Sequence, residues 1–255
     1  MKILLSYLRL ARLLCVLLYG VLLALAACVL ERFVTDRLAL RQRLCRRFLG
    51  TLARALPFTV RVEGSVPAEP MLWVSNHVSW TDIPLIGQLA PVSFLSKAEV
   101  RDWPLAGWLA RHGGTLFIRR GAGELQSLNH QIGGYLDGAH PVVLFPEGTT
   151  GDGQTLLPFH GRLLTAAVER NVPLQPIAVA YRRNGQPCAI APFIGDDALP
   201  THLLRLVRAE PAEVVITLLP PIDSQGMGRT ELARQARRTI YEALDIAEAP
   251  EASAA

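Results

Sequence analysis

The sequence predicts an α/β fold: a mixed, largely parallel sheet flanked by helices, preceded by an N-terminal membrane-associated helical segment. Three observations lead there. From residue 58 onward, short apolar runs alternate with stretches of helical periodicity, the signature of strands joined by crossover helices. Before them, residues 13–30 carry no charge. Between the two regions, apolar positions and arginines interleave in a way that suits an amphipathic helix. The expected division is therefore an anchor and basic helix over residues 1–56, one sizeable domain over 57–247, and a flexible tail over 248–255.

The anchor comes first. At 1.5 Å rise per residue, residues 13–30 barely reach across a hydrocarbon core of about 30 Å. A spanning helix, a monotopic anchor and a cleaved secretory signal all fit that length. The run Leu25-Ala26-Ala27-Cys28 also matches a lipoprotein processing pattern. Against export stand Arg37, Arg41, Arg43, Arg46 and Arg47 just downstream, because positive flanks stay cytoplasmic. Over residues 33–56, Val34, Leu38, Leu44, Phe48, Leu52 and Leu56 approximate one apolar stripe. Residues 1–61 hold eleven Lys/Arg against two Asp/Glu, whereas the rest of the chain is net acidic, so the overall +4 is an N-terminal property. A basic stretch beside apolar sequence points to anionic lipid headgroups, and no nucleic-acid-binding signature competes with that. Cys15, Cys28, Cys45 and Cys188 have no metal-ligand or disulfide-framework spacing, and no metal site is expected.

Expected strands cover residues 58–62, 71–75, 92–95, 115–118, 142–145, 176–181, 189–193 and 214–218. Expected helices cover 83–89, 105–112, 124–136, 161–170, 202–208 and 229–244. Ligands of such sheets collect beyond the carboxyl ends of the strands, so the residues just past each apolar run matter most. Two of those positions carry chemistry.

The first is Asn76-His77-Val78-Ser79-Trp80-Thr81-Asp82. Neutral imidazole is the usual base near neutral pH, and a carboxylate on its far nitrogen fixes the tautomer and stabilises the cation. On a regular helix positions i and i+5 diverge, so the pair needs a strand-to-helix turn to close. Pro84 fits the first turn of the helix that follows. Taken alone, a surface histidine with an unrelated aspartate produces the same string. Ser79 is assigned to capping the turn, with no role as a nucleophile. The second position is Pro146-Glu147-Gly148-Thr149-Thr150, at the end of the 142–145 run. A glutamate there is poorly explained by packing, since charges are seldom buried unpaired. A polar turn with Gly148 supplying the bend is the alternative.

Together these segments resemble the lysophospholipid acyltransferase family, which includes the 1-acylglycerol-3-phosphate O-acyltransferases. Asn76, His77 and Asp82 match its Asn-His-x4-Asp block. Gly114-Thr115-Leu116-Phe117-Ile118-Arg119-Arg120 matches its second block, and Phe145 to Thr149 its Phe-Pro-Glu-Gly-Thr block. Val172-Pro173-Leu174-Gln175-Pro176-Ile177 is close to the fourth, and the segment around Lys97 is similar to another family stretch. The resemblance implies transfer of a fatty acyl group from acyl-ACP or acyl-CoA to the hydroxyl of a lysolipid, with no cofactor beyond that thioester co-substrate. It implies His77 as base and Asp82 as its orienter, with Arg120, Glu147, Gly148, Thr149 and Lys97 as substrate-binding candidates. Pro176 is expected to shape the chain.

It also implies a bacterial inner-membrane location, with the domain on the cytoplasmic face where activated acyl donors are found. The thioester is already activated, so no protein nucleophile is required, and no Gly-x-Ser-x-Gly elbow exists. At Thr150 phosphatidate-forming members commonly have arginine, a bidentate phosphate ligand that threonine cannot replace. The loop after it is similar to the branch containing bacterial lyso-ornithine lipid acyltransferases and some lysophosphatidylcholine-type enzymes. The expected acceptor is of the 1-acylglycerol-3-phosphate type, in membrane phospholipid biosynthesis, with a lyso-ornithine lipid as the alternative. A catalytically dead lipid-binding protein and a hydrolase are the competing classes.

Overall fold

The computed structural model describes residues 2–118 and 124–246. Arg120 and the expected tail lie outside them. Two helices lead: α1 (Lys2–Leu30) and α2 (Arg37–Ala55). The sheet follows, with β1 (Phe58–Glu63), β2 (Leu72–Ser75), β3 (Ser93–Lys97), β4 (Leu116–Ile118), β5 (Val142–Leu144), β6 (Leu174–Arg183), β7 (Gln186–Pro187) and β8 (Ala212–Leu218). The intervening helices are α3 (Asp82–Gly87), α4 (Ala106–His112), α5 (Glu124–Asp137), α6 (Thr165–Arg170), α7 (Leu199–Arg208) and α8 (Arg229–Leu244).

The strand order is β1-β8-β6-β2-β5-β3-β4, with β7 hairpinned onto β6. β1–β8, β6–β2, β2–β5, β5–β3 and β3–β4 pair in parallel, whereas β6–β8 and β6–β7 are antiparallel. The expected mixed, largely parallel sheet is therefore what the chain forms. Its central strands are buried on both faces, which is why β2 and β5 read as continuous apolar runs. Leu72, Val74, Val142 and Leu144 pack against Leu128 and Ile132 of α5 and Leu232 and Ile240 of α8. Trp73, Val143 and Val179 face the other way, onto Leu49 and Ala53 of α2 and Leu85 and Ile86 of α3. Edge strand β1 is largely exposed and carries the polar residues of an edge.

Two expectations are corrected. Residues 189–193 form no strand. Pro192 lacks an amide donor, the Ala191 and Pro192 carbonyls accept from His202 Nε2, and the Phe193 amide donates to the Val78 carbonyl. Residues 161–170 are not one helix but a 3-10 turn, Gly161–Leu164, running into α6. α7 starts earlier than expected, with a proline in its first turn.

α1 extends back past the charge-free run to Lys2, and its 29 residues span about 43 Å. It is long and apolar enough to cross a membrane by length and composition. One face is nevertheless buried on the domain: Leu13, Val16, Gly20, Ala24 and Ala27 recur at three and four residues. Gly20 is required there, because a Cβ would sit 2.6 Å from the ring of Phe48 on α2. Arg9 donates to the carbonyls of Val207 (2.8 Å) and Ala209 (2.6 Å), satisfying the carboxyl end of α7. The opposite face, including Leu4, Leu8, Leu18 and Leu22, is exposed.

Candidate active site

β2 ends at Ser75 and α3 begins at Asp82, so the histidine motif occupies the strand-to-helix turn that its spacing demanded. Asn76 opens the turn. Its carboxamide donates to the Val179 carbonyl (2.9 Å) and accepts from the Val179 amide (2.8 Å), replacing a strand partner where β2 leaves β6. Both contacts are buried, and an Asn76→Ala change would leave two main-chain groups unpaired. The expected cost is about 2–5 kcal/mol, read as a lowered urea midpoint.

His77 Nδ1 lies 2.8 Å from Asp82 Oδ2. The same oxygen accepts from the amides of Val78 (2.8 Å) and Ser79 (2.9 Å), while Oδ1 accepts from the Tyr181 hydroxyl (2.5 Å). A carboxylate with those donors is a pure acceptor, so Nδ1 must carry the hydrogen and Nε2 is left as the basic nitrogen. Asp82 has no exposed side chain, whereas 17% of the His77 side chain reaches the surface. The imidazole stacks on Phe145, with ring centroids 3.9 Å apart and planes within 15°. An apolar wall thus stands beside the imidazole. Ser79 does not cap α3: it contributes its amide to Asp82, and its buried hydroxyl has no hydrogen-bond partner among the described residues.

Glu147 completes the frame. It is buried, and its oxygens accept from the His77 amide (2.7 Å) and the Leu157 amide (2.9 Å). Burial pushes its carboxyl up to about 7, against the downward pull of those two amides, and nearby Asp82 adds to the rise. The Gly151 amide donates to the His77 carbonyl (2.8 Å), so both main-chain groups of His77 are held by the Glu147 loop. Arg237 of α8 braces the far side by donating to the carbonyls of Leu156 and Leu157. Gly148 (φ +69°) and Thr149 are exposed next to this buried carboxylate. Lys97 is exposed at the carboxyl end of β3, the same end of the sheet as His77 and Glu147. Thr150 points inward, its hydroxyl donating to the Phe193 carbonyl.

Sequence reasoning did not find Tyr181, Trp80 or His202. The Trp80 indole donates to His202 Nδ1 (3.0 Å), and His202 Nε2 lies within reach of the Ala191 and Pro192 carbonyls. Burial holds the His202 imidazole below its ordinary range, consistent with a neutral ring bridging these groups. Leu10, Leu13 and Val16 of α1 belong to the same hydrophobic cluster as Trp80 of the histidine turn. The Trp80–His202 and Tyr181–Asp82 links had no local signal, because each joins residues about a hundred or more positions apart.

Residues 58–180 match a family model described as Acyltransferase. The lyso-ornithine lipid O-acyltransferase of Pseudomonas aeruginosa is 55% identical over 244 residues, 95% of each chain. That of Brucella abortus is 33% identical over 233 residues, covering 83% of this chain and 87% of its own. The crystal structure of the 1-acyl-sn-glycerophosphate acyltransferase from Thermotoga maritima shares the fold, with a TM-score of 0.61 at 23% identity over 93% of this chain and 98% of that one. Since a relative 55% identical matches nearly end to end and the family model covers residues 58–180, the chain belongs to the acyltransferase family.

Proposed function

We propose that this enzyme, an acyltransferase acting on a lysolipid, acylates the free hydroxyl of a lyso-ornithine lipid, with acyl-ACP or acyl-CoA as donor. The identity of 55% across 95% of both chains with a protein of that name carries the choice of acceptor. Thr150 supports it: the position offers no guanidinium for a phosphate, and its hydroxyl is held by Phe193.

The chemistry follows from the pair. His77 Nε2 takes the acceptor hydroxyl proton as the oxygen attacks the thioester carbonyl, and Asp82 stabilises the imidazolium through Nδ1. The tetrahedral intermediate collapses by breaking the carbon–sulfur bond, and His77 returns its proton to the leaving thiolate. Glu147 contributes by holding the His77 main chain, while acceptor contact falls to the exposed Gly148, Thr149 and Lys97. Arg120, assigned from the motif alone, takes the acceptor headgroup in this reading.

The membrane reading rests on α1. Because one face is buried on α2 and α7, the helix lies along the domain, with its exposed leucines in one leaflet of the inner membrane on the cytoplasmic side. Leu8 and Leu18 are 60% and 61% exposed. A Leu8→Glu, Leu18→Glu double variant is expected to lose flotation with anionic vesicles while keeping its thermal midpoint. Undiminished flotation would remove α1 as the anchor.

The acceptor is tested with purified protein, labelled acyl-ACP and acyl-CoA, and a panel including lyso-ornithine lipid and lysophosphatidate. Acylated ornithine lipid as the dominant product is expected. Faster acylation of lysophosphatidate with either donor would overturn the assignment, and acceptor-independent release of fatty acid would indicate a hydrolase.

A further inference from the structure

Tyr181 sits within the antiparallel part of the sheet, in register with Val214 of β8. Its ring packs edge-on to Phe58 of β1 at 5.4 Å, and its hydroxyl reaches across to the catalytic turn. There it meets two groups, Asp82 Oδ1 at 2.5 Å and Thr81 Oγ1 at 2.7 Å. Hydrogen counting fixes the direction. A phenol has one proton, and an ionised carboxylate can only accept, so Tyr181 donates to Asp82 and Thr81 donates to Tyr181. Oδ2 is held by three donors from the turn itself, whereas among the described residues the only bond to Oδ1 comes from β6. Removing it would leave one oxygen of a wholly buried carboxylate without a donor among those residues and the carboxylate anchored through Oδ2 alone.

The geometry points to Tyr181 as a positioning residue for acyl transfer: its hydroxyl, supplied by Thr81, fixes the plane of the Asp82 carboxylate and disperses its charge, so that His77 presents Nε2 as a free base. This rests on the reading of His77 as the base. A short donor to Oδ1 lowers the electron density that Oδ2 offers to the imidazolium. Without it, the carboxylate would hold the protonated histidine more tightly, and the base would be occupied over a wider pH range. Burial keeps the phenol far above its ordinary range, so it stays a donor at every working pH. Among the described residues, the other titratable groups facing the pair are Glu147, from the loop after β5, and Cys188, just past β7. Both are unchanged in the variants below, so the comparison with wild type isolates the phenol.

The test uses the full-length enzyme in vesicles. Tyr181→Phe is expected to lower kcat by about 10- to 100-fold, with KM for lysolipid and thioester held within about twofold. The acidic limb of its kcat/KM profile is expected to move to higher pH. Site-specific 3-fluorotyrosine at position 181, a stronger donor, is expected to move that limb to lower pH. Opposite shifts are the signature of a charge-dispersing donor. A lowered thermal midpoint with kcat and the acidic limb unmoved would reduce Tyr181 to a packing role and overturn the inference. If Tyr181→Phe fails to fold, an unmoved limb in the fluorotyrosine enzyme overturns it equally. His77→Ala separates the two levels. Wild-type transfer by that variant sinks the underlying reading of the base, whereas a dead His77→Ala beside an unmoved Tyr181→Phe sinks this inference alone.

Discussion

Asp82→Asn will abolish almost all turnover while leaving the protein folded. The carboxamide is isosteric, and the site can absorb it. Its oxygen can face the amides of Val78 and Ser79, and its NH2 can donate to the Tyr181 oxygen, which then turns its proton toward Thr81. What disappears is the negative charge beside the imidazolium. An equivalent change in a serine-protease triad costs about ten-thousandfold in kcat, and a loss of about a thousandfold or more is expected here. Steady-state kinetics alongside a melting curve check it. A large kinetic loss with a midpoint close to wild type is the outcome that identifies Asp82 as an electrostatic partner of the base.

Glu147 is the second position of large effect, through stability as well as rate. Glu147→Gln retains one acceptor and places an NH2 against the donor that the other oxygen served, either the His77 or the Leu157 amide. The expected loss is about 2–4 kcal/mol of stability, together with about a hundredfold in kcat as the His77 turn loosens. The wild type should show an unusual opposition with pH. Its Glu147 carboxyl is raised from 4.5 to about 7, so between those values the native state binds more protons than the unfolded chain. Ionising this group therefore lowers stability as pH climbs from about 4.5 to about 7, even though two amide donors need the ionised form. Melting temperature is expected to fall over the same interval. Glu147→Gln should flatten that slope, and an unchanged stability slope would remove Glu147 as its source.

What the sequence made legible is local chemistry with strict geometry. A histidine and aspartate five apart close only on a turn, and the apolar run before them and Pro84 after them mark that turn as strand-to-helix. The glutamate between Pro146 and Gly148 stood out because packing alone gives no reason for it, and it proves to be a buried acceptor for two amides. Other features depend on tertiary partners. Residues 189–193 look like a strand by composition, yet their main-chain groups are claimed by His202 of α7 and Val78 of the catalytic turn. Tyr181 reads as a core residue of an apolar strand until the sheet order brings β6 beside β2. Whether the N-terminal apolar segment packs on the domain or leaves it could not be read from hydropathy. The packing face, with Gly20, Ala24 and Ala27 against α2 and α4, becomes visible only in the folded structure.

The central claim is that His77 removes the proton from the acceptor alcohol. It is tested most directly by the single-turnover rate of acyl transfer in His77→Ala, measured at saturating lysolipid with added imidazole as a rescue. The account predicts a fall of about a thousandfold with an intact fold, partly restored by imidazole. A His77→Ala enzyme that acylates the lysolipid within about tenfold of wild type would contradict it.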